Sequence, residues 1–429
     1  MNGTNRRRFI QSTAALAAVS ALNPRAHGAA NEKVNVAVLG AGRGASLAHW
    51  FASMPESQVV AVCEVDESRG HALAERVAAI QGTRPPVVSD FRTLLDRKDV
   101  DALAVATPDH WHGPVTILAC LAGKDVYVEK PCSHNIVEGR MMVTAARKYE
   151  RIVQVGTNLR AAPHYLEAWD LLRKGEIGKV LMVKAINNQR RAAMPRRNNE
   201  PTPSGVHYDM WLGPAPQRPF NRNHFHHGWH WLWEYGTGDI GNDGVHQIDL
   251  GRWALGLKAP KAVSCSAAKL GWRDGAQQTP DTMVVTWEYD ELFYVFEQRD
   301  FTPYRMPGHR HDNDNIFYGE DGFLMIDRDG YRVFYKGGAP GPAKQNKWVD
   351  TRDHYQNFVQ CVKNRRHQDL NAGIEEGHYS ALLCHLGNIA YRTGKRLVFD
   401  AQTETFPHDE DACRLLGREY RKGYELPKV

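Results

Sequence analysis

The chain has 429 residues, of which 42% are hydrophobic and 24% are charged, and its formal net charge is +5. This length exceeds what one hydrophobic core usually serves, so we expect two domains, and the composition excludes a disordered chain, a collagen-like fibre and a polytopic membrane protein. Four of the five excess positive charges lie within residues 1–30, which contain no acid. The nearly neutral remainder gives no argument for a nucleic-acid partner.

The N-terminus predicts an export signal. Arg6, Arg7 and Arg8 precede Phe9, and a mildly apolar stretch over residues 12–22 leads to small residues around position 28. This order is typical of a twin-arginine signal, whereas the alternative is a basic N-terminal arm. We therefore interpret residues 1–30 as an address for the twin-arginine export machinery. Because that route carries folded proteins, we expect a periplasmic protein with a tightly bound cofactor and no stable membrane association.

Residues 33–156 predict a dinucleotide-binding domain. An apolar strand over residues 34–39 is followed directly by Gly40 and Gly42, with Ala45 as the third small residue of a G-x-G-x-x-G/A motif. The first glycine permits a tight turn, and the second lets a pyrophosphate approach the backbone. The next helix would then direct its N-terminus at the phosphates. The alternative is a coincidental glycine-rich turn.

The next strand supports the same interpretation. It covers residues 58–63 and ends at Glu64, 24 residues after the first glycine of the motif. An acid at this place accepts hydrogen bonds from the adenosine ribose and disfavours a 2′-phosphate. The sequence therefore favours NAD over NADP, while Arg43, which follows Ala41 in the same loop, keeps NADP open.

The α/β alternation continues and brings two polar segments to one edge of the sheet. We predict helices at 91–96, 114–122 and 135–149 and strands at 100–106, 125–128 and 152–155. Sites in such sheets lie outside the carboxyl ends of the strands. The residues that follow the strands there, which we expect to contact the cofactor or substrate, are Thr107, Pro108, Asp109, His110, His112, Glu129 and Lys130.

Three motifs together carry a family resemblance. Gly40-Ala41-Gly42, the turn over residues 106–110 and Glu129-Lys130-Pro131 resemble those of the Gfo/Idh/MocA oxidoreductases, over nearly all of residues 33–400. The resemblance implies an α/β protein with an N-terminal Rossmann domain and a C-terminal α+β domain whose open antiparallel sheet often makes oligomer contacts. It also implies a nicotinamide cofactor, a sugar or polyol substrate, and contact between Lys130 and the reacting hydroxyl.

The chemistry of Lys130 agrees with that role. A lysine at the carboxyl edge of a sheet, beside a nicotinamide, can orient a hydroxyl group and relay its proton. The alternative is a surface lysine paired with Glu129.

Residues 157–429 predict a second domain. We expect helices at 162–174 and 374–392 and strands at 179–187, 261–270, 283–289, 293–298, 323–326 and 331–335. Alternation of apolar and polar residues in the later strands predicts an antiparallel sheet with one packed face. Its other face is free for a partner, so we expect a homo-oligomer.

The segment 224–249 carries the remaining candidate site residues. The family pattern Asp-x-Gly-x-His-x-x-Asp maps its histidine to His246 and its last acid to Asp249, while Asn242 replaces the first acid. The resemblance implies that His246 takes the substrate proton, here without that carboxylate or with a different one; the alternative is a structural histidine. We expect Asn242 and Asp249 to complete the polar wall with Asp109.

The aromatic and basic residues of this domain allow two interpretations each. Trp229, Trp231, Trp233 and Tyr235 either stack on sugar rings or belong to a core or oligomer contact. Arg190, Arg191, Arg196 and Arg197 fit a solvated or inter-subunit loop better than an anion site. The histidines of the segment match no closed metal site, so we expect no metal.

These features lead to a functional hypothesis with alternatives. The first is an NAD(P)-dependent oxidoreductase that moves hydride between a sugar or glycoside hydroxyl and a tightly bound nicotinamide. The second is a redox-neutral glycoside hydrolase or lyase that acts through a transient keto-sugar. The third, a non-catalytic carbohydrate-binding protein, has no need of Lys130 or His246.

Overall fold

The computed structural model describes residues 33–302, 313–346 and 349–429. The expected export signal at residues 1–30 lies outside this part of the chain. Two sheets organise the described residues, one of six strands and one of nine. Among the described residues, none of the helices has the length and apolar character that crossing a membrane requires.

The first sheet is parallel throughout. Its strands are β1 (Val34–Leu39), β2 (Ser57–Cys63), β3 (Val87–Val88), β4 (Ala102–Val105), β5 (Asp125–Val128) and β6 (Val153–Val155). They lie in the order β3-β2-β1-β4-β5-β6. This is the arrangement of a Rossmann domain, in which the strand order reverses beside β1 and opens a crevice there.

Helices cover both faces of this sheet, which is why its strands are almost wholly apolar. They are α1 (Gly44–Ser53), α2 (Glu67–Gln81), α3 (Arg92–Leu95), α4 (Asp109–Leu121) and α5 (Ile136–Lys148). The sequence predicted the α4 helix only from Pro114, but the helix begins five residues earlier and contains the proline. Helix α2 was not predicted, although Asp66 caps it by accepting from the amides of Ser68 and Arg69.

The second sheet has nine strands in the order β14-β13-β12-β11-β7-β10-β9-β8-β15. They are β7 (Val180–Asn188), β8 (Ala262–Ala268), β9 (Thr282–Glu288), β10 (Phe293–Arg299), β11 (Asn313–Gly319), β12 (Gly322–Asp327), β13 (Gly330–Tyr335), β14 (Pro340–Gln345) and β15 (Leu397–Val398). The expected antiparallel sheet is confirmed with one correction, because β7 and β10 pair in parallel. Strands β11, β14 and β15 were not predicted.

Further helices follow β6 along the chain. They are α6 (Pro163–Arg173), α7 (Tyr208–Leu212), α8 (Val245–Ala254), α9 (Arg352–Asn364), α10 (Ile374–Thr393) and α11 (Glu410–Cys413). Helices α6, α8 and α10 pack against strands of the second sheet, whereas α9 packs on β1 and α1 of the Rossmann domain. Helix α10 confirms the prediction for residues 374–392, and it packs against α5 of the first domain and against α8 and β8 of the second. The fold therefore places the second domain against the Rossmann domain, with the functional residues at their junction.

A separate aromatic cluster fills the space between the two domains. Its buried members are Met194, Tyr208, Trp211, Leu212, Ala215, Phe220, Phe225, Trp229, Leu232 and Tyr235. Trp229 and Tyr235 are therefore core residues, which favours the packing interpretation for these two. The cluster supports the segment 224–235 above the mouth of the Rossmann crevice.

Candidate functional site

The loop after β1 is shaped for a phosphate group. Gly40 has φ +89°, and a Cβ there would lie 2.5 Å from the carbonyl oxygen of Ala106, so only glycine fits. A Cβ on Gly42 would meet only the guanidinium of Arg69, at 3.6 Å. The loop leads into the ten-residue helix α1, whose N-terminus supplies a favourable dipole for an anion. The backbone therefore offers the open, donor-rich space that a pyrophosphate needs.

Glu64 lies beside the glycine loop, where the adenosine ribose of a dinucleotide would bind. Its carboxylate is buried and accepts hydrogen bonds from the amides of Ala41 (2.6 Å) and Val65 (2.8 Å). It follows the end of β2 and faces the glycine loop, as the predicted contact with ribose hydroxyls requires. The donor set of the loop and this acceptor together fit a dinucleotide.

One cavity of about 560 Å³ joins this loop to the reactive side chains. Sequence-predicted residues that line it are Gly40, Gly42, Arg43, Glu64, Thr107, Pro108, Asp109, His112, Glu129, Lys130 and Asn242. The His112 ring lies between the carbonyl oxygens of Pro131 (2.7 Å) and Thr107 (2.8 Å). It thereby holds together the two loops that follow β4 and β5.

Lys130 is anchored at the wall of this cavity. Its Nζ donates a hydrogen bond to the main-chain carbonyl of Asn242, which lies on a π-helical turn at Ile240–Gly244. The peptide between Lys130 and Pro131 is cis. The ammonium group thus joins the Rossmann domain to the segment that carries Asn242, and both residues face the cavity.

A carboxylate that the sequence analysis missed supports this segment. Asp239 is fully buried and accepts a hydrogen bond from the side-chain amide of Asn242 (2.8 Å). Arg191 donates to the same carboxylate through Nε (3.0 Å) and a terminal nitrogen (3.1 Å). Asp239 lies three residues before Asn242 in the sequence, about one helical turn away, and this spacing was the signal from which the contact could have been predicted. Asn242 stands where the family motif has its first acid. Asp239 therefore supplies a carboxylate close to that position.

Two histidines differ in their relation to the cavity. His246 does not line the cavity. Burial lowers the pKa of its imidazole well below 6.5, and the positive charge of Lys130 lowers it further. Its Nδ1 has no hydrogen-bond partner among the described residues. His230, which the sequence analysis considered only for metal binding, does line it. Its Nδ1–H donates to the carbonyl of His227 (2.5 Å), and burial lowers its pKa to about 3. At neutral pH, His230 is therefore a neutral imidazole with Nε2 as the acceptor.

Asp109 provides a second titratable group in the cavity. It is 2% exposed, and burial raises its pKa to about 7. A hydrogen bond from the Thr237 hydroxyl (2.9 Å) and the positive charge of Lys130 oppose this rise. The carboxyl therefore changes its charge near neutral pH, close to the ammonium group.

Charged contacts also cross the cofactor crevice. Arg43 donates to the buried Glu129 (2.9 Å), and the charge of Glu129 raises the pKa of the guanidinium. Beyond the glycine loop, Arg69 contacts Nδ1 of His226, whose Nε2 lies 3.1 Å from Asp66. We call these three residues, Asp66, Arg69 and His226, the clasp. It connects the Rossmann domain to the segment 224–235 over the cavity.

Several predicted residues lie elsewhere. The ring of His110 donates to the carbonyl of Trp211 (2.9 Å) and does not line the cavity, so its expected cofactor contact is corrected. Asp249, expected in the polar wall, instead forms a buried ion pair with Arg160 (2.7 Å). The indole of Trp233 lies under Arg392, 5.3 Å from its guanidinium carbon, and lines neither this cavity nor the one beside it.

Trp231 lines that adjacent cavity and not the one that holds Lys130. Among the residues that the structure describes, no three histidine, cysteine, aspartate or glutamate side chains converge as ligands for a metal ion.

Comparisons with known proteins agree with the geometry of the site. Family models of the Gfo/Idh/MocA oxidoreductases match residues 34–157, as the NAD-binding Rossmann fold, and residues 193–426, as the C-terminal alpha/beta domain. The chain therefore belongs to the Gfo/Idh/MocA oxidoreductase family and has an NAD-binding domain, which confirms the resemblance and the predicted cofactor.

Individual relatives are distant. The chain is 29% identical over 207 residues to glycosyl hydrolase family 109 protein 2 of Shewanella sp. (strain ANA-3), which is 42% of this chain and 45% of the relative. It is 30% identical over 216 residues to inositol 2-dehydrogenase 2 of Saccharopolyspora erythraea, which is 50% and 51%. The aligned stretch thus spans about half the length of these relatives.

A solved structure of levoglucosan dehydrogenase in complex with NADH and levoglucosan resembles most of this fold. Its TM-score is 0.65 at 18% identity, covering 86% of this chain and 99% of the other.

Proposed function

We propose that this member of the Gfo/Idh/MocA family is an NAD-dependent oxidoreductase that transfers hydride between a carbon of a sugar or glycoside and the nicotinamide. The observation that carries the proposal is the single cavity joining the dinucleotide loop at Gly40 and Gly42 to Lys130 and Asn242. Named relatives that act on inositol or bind levoglucosan support the substrate class.

The residues of the cavity divide the chemistry among them. NAD, held by the glycine loop and Glu64, supplies the hydride acceptor. Lys130, fixed by the carbonyl of Asn242, orients the reacting hydroxyl with an N–H donor. Nε2 of His230 is free to accept the hydroxyl proton, because Nδ1–H is already committed to His227. His246 is the other candidate for this step, as the sequence analysis predicts.

The test starts from the natively purified protein. Nucleotide released by denaturation is identified by mass spectrometry, and a panel of sugars and glycosides is screened for appearance of the reduced-nicotinamide absorbance band. Lys130→Met should lower turnover by about 10³-fold or more while nucleotide remains bound. The exposed Lys98, which does not line the cavity, provides the matched control Lys98→Met. Full activity of Lys130→Met would refute the catalytic role.

The two histidines are separated by parallel variants. His230→Gln and His246→Gln each remove an imidazole and keep a polar side chain. If His230 takes the proton, its variant loses most of the turnover, whereas His246→Gln loses less. The reverse order would assign the proton to His246.

A second candidate function is redox-neutral cleavage of a glycoside. Elimination next to a transient ketone requires a base besides the group that handles the hydroxyl, and the chain offers two imidazoles near Lys130, His230 and His246, which burial keeps in the neutral form. The glycosyl hydrolase family 109 relative adds support. Release of an aryl aglycone without net change in nucleotide redox state would identify this activity; net reduction of added nucleotide would exclude it as the main reaction.

We also propose a homo-oligomer formed through the open sheet. Val284 and Phe293 project from strands β9 and β10 on the same face of the sheet, and they are 44% and 53% exposed. Large exposed apolar side chains on one sheet face favour an interface. Light scattering after gel filtration should give a multiple of the chain mass, and Phe293→Glu should reduce it. A monomer at micromolar concentration would refute the proposal.

Export is a further part of the proposal, and it rests on Arg6, Arg7 and Phe9 with the apolar stretch that follows. Fractionation of cells should place the protein in the periplasm and the double variant Arg6→Lys, Arg7→Lys in the cytoplasm. An unchanged distribution would refute the twin-arginine assignment.

A further inference from the structure

A second cavity lies directly beside the one that contains Lys130. Its volume is about 520 Å³, and the two cavities share Phe225 and His227 as lining residues. Its size is within the range that small-molecule sites occupy. A ligand group in this second cavity would therefore be adjacent to one in the first.

The walls of the second cavity combine aromatic and polar surface. Trp231 and Trp272 both line it, and the guanidinium carbon of Arg191 lies 5.8 Å from the Trp231 ring centroid. Aromatic faces match the C–H faces of sugar rings, while a guanidinium donates to ring hydroxyls. This combination fits a polyhydroxylated ring better than an apolar ligand. The other charged side chains that line the cavity are Arg190, Arg197, Arg222, Asp281 and Asp300.

A buried polar atom that lines the cavity lacks a hydrogen-bond partner among the described residues. It is Oγ1 of Thr279, a residue that is 1% exposed. The equally buried carboxyl group of Asp300 also lines the cavity but faces the carboxylate of Asp239, and burial together with that charge raises its pKa. Buried polar atoms are normally hydrogen-bonded, so the Thr279 hydroxyl points to a ligand that supplies the missing bond. Sugar hydroxyls both donate and accept, so they match this hydroxyl.

A buried ion pair connects the two cavities. Asp239 accepts from Arg191, which lines the second cavity, and from the side-chain amide of Asn242, which lines the first. A ring in the second cavity that contacts Arg191 would therefore lie two hydrogen bonds from Asn242, whose carbonyl group anchors Lys130.

We propose that the second cavity is a subsite for a sugar ring joined by a glycosidic bond to the ring that reacts at Lys130. The substrate is accordingly a disaccharide or a longer saccharide, and a monosaccharide fills only the first cavity. This inference rests on the proposed function and narrows its substrate class.

The test compares matched ligands on the full-length enzyme. Initial rates are measured for α- and β-linked disaccharides of glucose, galactose, mannose and xylose and for the methyl glycosides of the same sugars. We expect kcat/KM for the preferred disaccharide to exceed that of its methyl glycoside by about tenfold or more, the effect of one well-packed ring. Binding of both ligands to Lys130→Met, measured by calorimetry, should show the same preference without chemistry.

Variants of the second cavity assign the preference to its residues. Trp272→Ala and Thr279→Val should each lower kcat/KM for the disaccharide by about five- to tenfold and change that of the methyl glycoside less than twofold. Trp233→Ala, which removes a tryptophan outside both cavities, is the matched control, and thermal unfolding checks that each variant folds.

The outcomes separate the two proposals. Equal losses for both ligands, or no preference for the disaccharide in the unmodified enzyme, would overturn the subsite while the oxidoreductase stands. If no sugar changes the redox state of the nucleotide but Lys130→Met still binds the disaccharide more tightly, the subsite stands and the proposed activity fails. The absence of both turnover and binding would overturn both.

Discussion

Replacing Asp109 by asparagine is expected to stabilise the folded chain, and the gain should grow with pH. The carboxyl is buried, and Glu138 adds a small unfavourable charge, whereas Thr237 and Lys130 favour ionisation; the outcome is a pKa of about 7. The unfolded chain ionises the same group near 3.8. The folded-state pKa lies above the unfolded-state pKa. The carboxyl group therefore leaves the free energy of unfolding unchanged below the unfolded-state pKa and lowers it as the pH rises towards the folded-state pKa.

The size of the effect follows from those two pKa values. At about 1.36 kcal/mol for each pH interval of one, the carboxyl costs the folded chain about 4 kcal/mol above pH 7, and nothing below about pH 4. Asparagine keeps an acceptor for the Thr237 hydroxyl but does not titrate. The difference in unfolding free energy between Asp109→Asn and the unmodified chain should therefore rise by up to about 4 kcal/mol between about pH 4 and pH 7.

Urea unfolding followed by circular dichroism measures this difference. Both proteins are stripped of nucleotide and compared at several pH values across the window. Asp274→Asn, which removes an exposed carboxylate, is the control for the change in net charge. A difference that stays constant with pH, or one that falls as pH rises, would refute the burial argument for Asp109.

Three further changes test other parts of the structure. Gly40→Ala should abolish nucleotide retention, as seen by mass spectrometry, because its Cβ would lie 2.5 Å from a carbonyl oxygen at a φ of +89°; retention at the normal level would contradict the loop geometry. Glu64→Gln should narrow the preference for NAD over NADP by about tenfold in titrations of the stripped protein, because it removes a charge that repels a 2′-phosphate; an unchanged ratio would show that Glu64 does not face the ribose. Asp249→Asn should lower the free energy of unfolding by about 3–5 kcal/mol with little change in KM, because it breaks the buried pair with Arg160. A raised KM with unchanged stability would return Asp249 to the substrate wall.

The Rossmann half was largely predictable because its signals are local. Gly40 was recognisable because a tight turn with a positive φ requires glycine. Glu64 was recognisable because it directly follows the next strand along the chain. The start of helix α4 was not predictable in this way. Proline usually lies in the first turn of a helix, but Pro114 lies beyond the first turn of α4. The residues of α4 before Pro114 are held by the hydrogen bond from the Thr237 hydroxyl to Asp109.

The second half of the site depends on contacts that are distant in sequence. His230 enters the cavity because an aromatic cluster and a short 3₁₀ turn at Gly228–Trp231 carry it there, and neither has a periodicity that a sequence reveals. Asp249 matched the family pattern, yet its function depends on Arg160, 89 residues earlier. Strand β11 pairs with β7, more than 120 residues away, so its register was not readable from local alternation.

The buried ion pairs of Arg160 fix where the second domain begins to move as one body. Arg160 follows the last strand of the Rossmann domain, and its guanidinium bonds to Asp249 on α8 and to Glu376 on α10, with both Arg160 and Asp249 side chains 2% exposed. Separating these charges inside the protein would cost several kcal/mol. Arg160 therefore stays with the second domain, and any hinge between the two domains lies before it in the chain. Opening at such a hinge would have to break the clasp, so we expect substitution of His226 to raise the rate of nucleotide exchange.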